Sequence, residues 1–189
     1  PSEVLSKESI FNLNPKPMVF LLSGILFICA LPFINGLAMI NEAIPIPEFM
    51  SSIESWMKAA EKNAMVLTEA FLQMNGIGDF ALNIVVIAFA AAFTEELLFR
   101  GALQSTLLKV TNNKHLSVWI AAILFSAMHG QFYGFIPRAV LGGVLGYLFL
   151  WSGSLWVAIF GHFVNNAFAV LMAYLIQGEV ISNDLETMS

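Results

Sequence analysis

The sequence predicts an all-α, polytopic transmembrane helix bundle carrying one amphipathic insert, and three observations predict it. Hydrophobic residues make up 58% of the 189-residue chain and charged residues only 11%, against roughly 25% charged residues in soluble domains. Mean hydropathy is +0.79, and the apolar residues gather into about five segments. Between the first two segments the pattern changes: apolar side chains recur at helical spacing among charges, as on an amphipathic helix.

Residues 18–40 form the first segment, free of charge and long enough for a bilayer core that takes about 20 residues to cross. Pro32 marks a place where it can kink. Residues 41–75 form a polar insert that opens with the turn Pro45-Ile46-Pro47. Phe49, Ile53, Trp56, Met57, Ala60 and Ala64 then line one helical face, which suits a helix lying on the membrane surface or against the bundle. A plain exposed connecting helix fits the same pattern. Met50, Met57, Met65 and Met74 read as packing residues.

The second apolar segment covers residues 80–108. The third, residues 116–129, is short for a full crossing and is placed to break at Gly130. The fourth, residues 132–151, carries Pro137, Arg138 and the small-residue run Gly142, Gly143 and Gly146, which lets helices approach closely. The fifth, residues 155–176, contains His162, Asn165 and Asn166, and an acidic tail follows over 179–189. The organisation is thus an N-terminal part (1–78) with the first span and the insert, a membrane core (79–178) and the tail (179–189). The partner this dictates is the lipid bilayer, in which the chain sits as an integral membrane protein.

A net charge of −5 gives no basis for binding nucleic acid. The single cysteine, Cys29, forms no internal disulfide and reads as a small buried hydrophobe. The chain opens PSEVLSKES rather than with Met, as a fragment lacking upstream residues would, and shows no signal-peptide pattern there. Lys7 and Lys16 before the first segment, with Lys109 and Lys114 after the second, place those ends on the cytoplasmic side.

Charge is most informative where it is least expected. Glu95 and Glu96 sit inside the run IVVIAFAAAFTEELLFRGALQSTLL, and an ionisable group at bilayer depth persists where it is paired, faces protein or does chemistry. Glu96 and Arg100 are four residues apart and share a helix face, so they can pair and leave Glu95 pointing elsewhere. His162 and Asn166 share a face by the same spacing, as do Phe125 and His129. At about 1.5 Å per residue, Glu95, His129 and His162 come to one level near the middle of a core about 30 Å thick. A carboxylate in such a dry pocket suits a general base.

Other readings of these residues stand beside that one. Glu96–Arg100 also fits a purely structural ion pair. Glu95, His129 and His162 make a two-His-one-carboxylate set of the kind that holds catalytic zinc, although no HExxH motif is present, and no metal cofactor is favoured. Ser126 and Ser154 lack a GxSxG context, which speaks against serine catalysis. His115 reads as a solvated loop residue, and Arg138 as reaching the interface, in preference to binding a substrate carboxylate. A proton or ion relay would need polar residues continuing toward both faces, whereas IVVIAFAAAF precedes Glu95.

Three motifs on successive apolar segments complete the pattern: EELLFR (95–100), FSAMH (125–129) and HFVNN (162–166). They resemble the EExxxR, FxxxH and HxxxN motifs of the CPBP (ABI) intramembrane proteases, which include type II CAAX prenyl endopeptidases and bacteriocin-processing or immunity-type proteins. The resemblance runs over about residues 81–176. It implies a membrane endopeptidase of the bacterial plasma membrane, glutamate-type or zinc-dependent, acting on a peptide or protein that can be lipid-modified. Carried over, Glu95 with His129 activates water, His162 with Asn166 stabilises the oxyanion, and Glu96, Arg100 and Phe125 support them. A non-catalytic membrane partner of the immunity type retaining the fold is the alternative.

Overall fold

A computed structural model describes residues 15–178 of the chain. The acidic tail 179–189 and Lys7 of the orientation reading lie outside the described residues. Within them the chain is a helix bundle with no strand. The order is α1 (Pro17–Glu42), a short 3-10 turn (Glu48–Met50), α2 (Ser51–Leu72), α3 (Ile77–Thr111), α4 (Lys114–Met128), α5 (Phe135–Ser152) and α6 (Leu155–Gln177). Helices α1, α3, α5 and α6 are long and apolar enough to cross a membrane, while α4 is a shorter apolar helix.

Local chemistry explains the boundaries. Pro17 sits in the first turn of α1, where a missing N–H costs nothing, and the helix continues through Pro32 to Glu42. Asn41 therefore ends α1 as a buried residue instead of opening the insert. Asn112 ends α3 in the left-handed conformation (φ 50°), and the Asn113 side chain accepts from the Leu116 N–H at 3.0 Å to cap α4. His129 closes α4 just before Gly130, whose φ of 65° is costly for residues with a Cβ. Helix α5 starts at Phe135, three residues later than the apolar run suggests, because residues 130–134 are spent on this turn.

Helix α1 packs on α5 and α6 through one narrow face, Ser23, Gly24 and Phe27. Leu21, Leu22, Ile25 and Ile28 face outward, as they do toward lipid. Cys29 lies on that outer face and is exposed, which corrects the expectation of a buried thiol. Helix α2 has no buried residue and leans on the bundle near its start, where Trp56 meets Phe132 with ring centroids 5.0 Å apart. Glu61 there accepts from the Tyr133 N–H at 3.4 Å. Gln177 ties the far end of α2 to α6 through the Met74 N–H (3.0 Å) and the Leu72 carbonyl (2.8 Å).

The glycines of α5 do what their spacing promises. A Cβ at Gly142 would come within 3.2 Å of Ala122 on α4, and one at Gly143 within 3.2 Å of Trp119. Helices α4 and α5 consequently pack closely along this face.

Candidate active site

The site is built where α3 crosses α5 and α6. Its central stretch, Ala91–Glu96, is regular α-helix between two wider π-type stretches, Ile84–Ala90 and Leu97–Gln104. Such turns leave backbone carbonyls open to side chains and recur at functional sites. Ile87 offers its carbonyl to the Asn166 amide (3.3 Å), and Arg100 offers its own to the Ser105 hydroxyl (2.8 Å).

Glu96 and Arg100 pair as their spacing requires, with Nη1 donating to Oε1 at 2.7 Å and both side chains fully buried. The guanidinium also lies over the Phe125 ring, 4.9 Å from its centroid. Two further bonds extend this buried knot, which leaves Glu96 Oε2, Arg100 Nε and Gln104 Oε1 without a hydrogen-bond partner. Arg100 Nη2 donates to the Gly142 carbonyl at 2.8 Å, and Gln104 Nε2 to the Gly146 carbonyl at 3.0 Å. The two donors are four residues apart on α3 and the two acceptors four apart on α5, so the helices run parallel in matched register. Without side chains at Gly142 and Gly146, the backbone of α5 is bare enough to be reached.

The two carboxylates do not separate as their positions around the helix suggest; both converge on His162. Its Nδ1 faces Glu96 Oε1 at 2.9 Å, and its Nε2 lies 3.8 Å from Glu95 Oε2. One imidazole spans both because its nitrogens point in different directions. A carboxylate oxygen only accepts, so Nδ1 carries the proton and Nε2 is turned to Glu95. Glu96 therefore orients the histidine as well as pairing with Arg100. Glu95 remains 24% exposed, which separates it from its fully buried neighbour.

His129 completes the arrangement from α4. Its Nδ1 donates to the Phe125 carbonyl at 2.8 Å, which leaves Nε2 as its accepting atom. The Phe125 ring walls both imidazoles, with centroids 4.9 Å from His129 and 5.8 Å from His162. His129, His162, Asn165, Asn166 and Arg138 line one cavity of about 220 Å³, closed on its apolar side by Ile34, Leu141 and Leu145. Asn165 Nδ2 donates to Asn166 Oδ1 at 3.2 Å, and so settles which way the Asn166 amide faces.

Residues 77–168, the stretch that contains all of these motifs, match the family model of the type II CAAX prenyl endopeptidases, Rce1-like. That segment, about half of the chain, is similar to this family. Two Bacillus subtilis (strain 168) proteins are similar to the chain. YpbD, described as uncharacterized, is 32% identical over 89 residues, covering 45% of this chain and 42% of that protein. The other, named "Putative membrane peptidase YdiL", is 28% identical over 122 residues, covering 65% of this chain and 47% of that protein. The chain thus spans less than half the length of either relative. No solved structure gives a significant match. The Rce1-like segment takes in Glu95, Glu96, Arg100, Phe125, His129, His162 and Asn166, but excludes α1 and α2.

Several placements differ from the sequence reading. Arg138 turns to the wall of the cavity, its guanidinium bonded to Gln131, instead of running out to the interface. It can do so because Gly134 has no Cβ to block the guanidinium. His115 lies in the first turn of α4, not in a loop, and its Nδ1 is 2.7 Å from the Tyr147 hydroxyl. Ser126 donates to the Phe135 carbonyl at 2.7 Å, a structural tie between α4 and α5.

Two supporting residues escaped the sequence reading altogether. Gln104 continues the Glu96–Arg100 stripe at the same four-residue spacing, a signal that was there to be read. Asn41 holds the turn after His129 from both sides: its Nδ2 donates to the Phe132 carbonyl (2.9 Å), and its Oδ1 accepts from the Ile136 N–H (2.8 Å). No local pattern announces a partner about ninety residues away.

The zinc set can be tested against this geometry. Among the described residues no three His, Cys, Asp or Glu side chains converge as a metal-holding group. Glu95, His129 and His162 are not drawn together as a ligand sphere here, so no step below runs through a metal.

Proposed function

We propose that this chain is the core of a membrane endopeptidase that hydrolyses a peptide bond with a water molecule activated by Glu95. The observation that carries the reading is the Glu95–His162–Glu96 array, whose histidine lines a cavity shared with His129 and Asn166 within a lipid-facing bundle. Glu95, partly exposed beside a histidine, accepts a proton from water as its oxygen attacks the scissile carbonyl carbon. His129 accepts a hydrogen bond from the second O–H of that water through Nε2 and so aims the attack. The resulting oxyanion is met by the second amide N–H of Asn166, with His162 beside it. Collapse breaks the C–N bond, and Glu95 returns its proton to the leaving nitrogen.

Glu96 and Arg100 act at one remove, by holding His162 in place. The substrate is a peptide or protein segment presented in or at the membrane, with or without a lipid modification. The Rce1-like family match and the relative named as a membrane peptidase support this reading, and the bacterial source of both relatives supports a bacterial plasma membrane.

The test is cleavage of a quenched-fluorescent peptide library by purified protein in detergent, wild type beside Glu95→Ala, with and without a zinc chelator. Cleavage that disappears in Glu95→Ala and survives the chelator is the expected result. Cleavage abolished by the chelator would replace the glutamate mechanism with a metal-dependent one. A well-folded wild type that cuts nothing in the library would shift weight to a non-catalytic membrane partner.

A further inference from the structure

We propose that Arg138 is the anion-reading residue of this cavity and takes up a carboxylate of the bound peptide. The proposal rests on the endopeptidase reading for what the ligand is, but its observations are separate from those that carry that reading.

The molecule contains two intramembrane arginines in opposite circumstances. Arg100 is fully buried and neutralised by Glu96. Arg138 lines the same cavity as His129, His162 and Asn166, and among the described residues no carboxylate lies within ion-pair distance of it. Both of its bonds go to neutral acceptors on one residue: Nη2 to Gln131 Oε1 at 2.8 Å and Nη1 to the Gln131 carbonyl at 3.3 Å. A guanidinium has five N–H donors, so the others remain available. A charge in such a place is costly without a counter-ion; Glu61 and Glu95 act on it through space, but neither pairs with it, so the direct counter-ion position is open.

Gly134 shows that the position of the guanidinium is built. Its backbone (φ −101°, ψ 10°) is open to any residue, so conformation does not call for glycine. Space does. A Cβ at Gly134 would lie 3.0 Å from Arg138 Nη2 and 3.5 Å from Cζ and Nη1. The bare backbone is thus the seat against which the planar group rests, and Gln131 holds it from the other side. A fixed planar fork with free N–H groups suits a bidentate carboxylate. That carboxylate belongs either to the C-terminus of the peptide or to an Asp or Glu side chain along it.

Binding decides the matter independently of turnover. Glu95→Gln protein in neutral detergent would be titrated, by fluorescence anisotropy, with an apolar peptide ending in a free carboxylate. The comparison peptides are its C-terminal amide and a set of amides in which one Glu is walked along the sequence. One carboxylate-bearing peptide should bind about tenfold or more tighter than the neutral amide, and which one it is identifies the source of the carboxylate. Arg138→Gln should erase that preference, and Arg138→Lys should keep part of it. Gly134→Ala should shrink it with the unfolding temperature unchanged, because only a side-chain end has to move. Equal binding of all the peptides, or a preference that survives Arg138→Gln, overturns the proposal. If the preference follows Arg138 but wild-type protein cleaves none of these peptides, the anion site stands and the endopeptidase reading falls. If wild type cleaves neutral and anionic peptides with equal kcat/KM and binding is also equal, the reverse holds.

Discussion

Two halves of one polar centre, separated by a single imidazole, use similar residues to opposite ends. On the closed side, Glu96, Arg100 and Gln104 are fully buried and bonded to one another, to His162 or to the carbonyls of Gly142 and Gly146. On the open side, His129 and Arg138 line the cavity with hydrogen-bonding capacity to spare, and Glu95, beside His162, is partly exposed. Charge committed to internal partners gives rigid geometry and little reactivity; charge with spare donors or acceptors can meet a substrate. His162 belongs to both sides, with Nδ1 held by the first and Nε2 presented to the second. The comparison teaches that adjacent carboxylates need not share a role: Glu96 positions and Glu95 reacts.

The sharpest way to break that division is to exchange the fates of its members. Glu95→Gln should lower kcat by about 10²–10⁴-fold, the ordinary range for a lost general base, while leaving the thermal midpoint in detergent within a degree or two of wild type. A large loss of stability would place Glu95 with the closed knot instead. Arg100→Ala should do the opposite first: it strands the buried Glu96 carboxylate and should cost about 3–5 kcal/mol of stability, read from unfolding in a mixed-micelle denaturant series. Activity then falls because His162 loses its orientation. A mutant of normal stability would show that Glu96 finds another partner.

Less severe is a test of the register that joins the knot to α5. A Cβ at Gly146 would stand 2.8 Å from Gln104 Oε1 and 3.0 Å from Val118 Cγ1, both in the interior. Gly146→Ala should therefore cost about 1–3 kcal/mol of stability through overpacking. Gly134→Ala, where only the tip of Arg138 is in the way, should cost less. Equal losses at the two sites would mean that α5 slides to absorb the added methyl.

The spans were legible because a bilayer demands long uninterrupted apolar runs, and the helices found begin and end within a few residues of those runs. Sidedness was not legible. In lipid, the inward and outward faces of a helix are both apolar, so nothing in α1 marks Ser23, Gly24 and Phe27 as the packed face and Cys29 as the outer one. Within the candidate site the i,i+4 spacing announced Glu96–Arg100, but it was silent on how Glu95 and Glu96 would divide a histidine on another helix. Asn41, Gln131 and Gly134 were invisible for a related reason. Their partners are backbone groups or a guanidinium that only the folded turn after His129 brings to them.

That turn supplies the smallest effect, and the one most specific to the open side. Asn41 reaches from the end of α1, outside the Rce1-like match, to bind both the Phe132 carbonyl and the Ile136 N–H. Asn41→Ala should lower stability by only about 1 kcal/mol, since the freed groups lie near enough to the surface to be rehydrated. The turn it holds, however, carries His129 at one end and Gln131, the partner of Arg138 on α5, within it, so small movements fall directly on the cavity. Catalytic efficiency should therefore drop further than the stability loss explains, with KM rising more than kcat falls. If kcat and KM stay at wild-type values, α1 is a membrane anchor alone and the open side organises itself from α4 and α5.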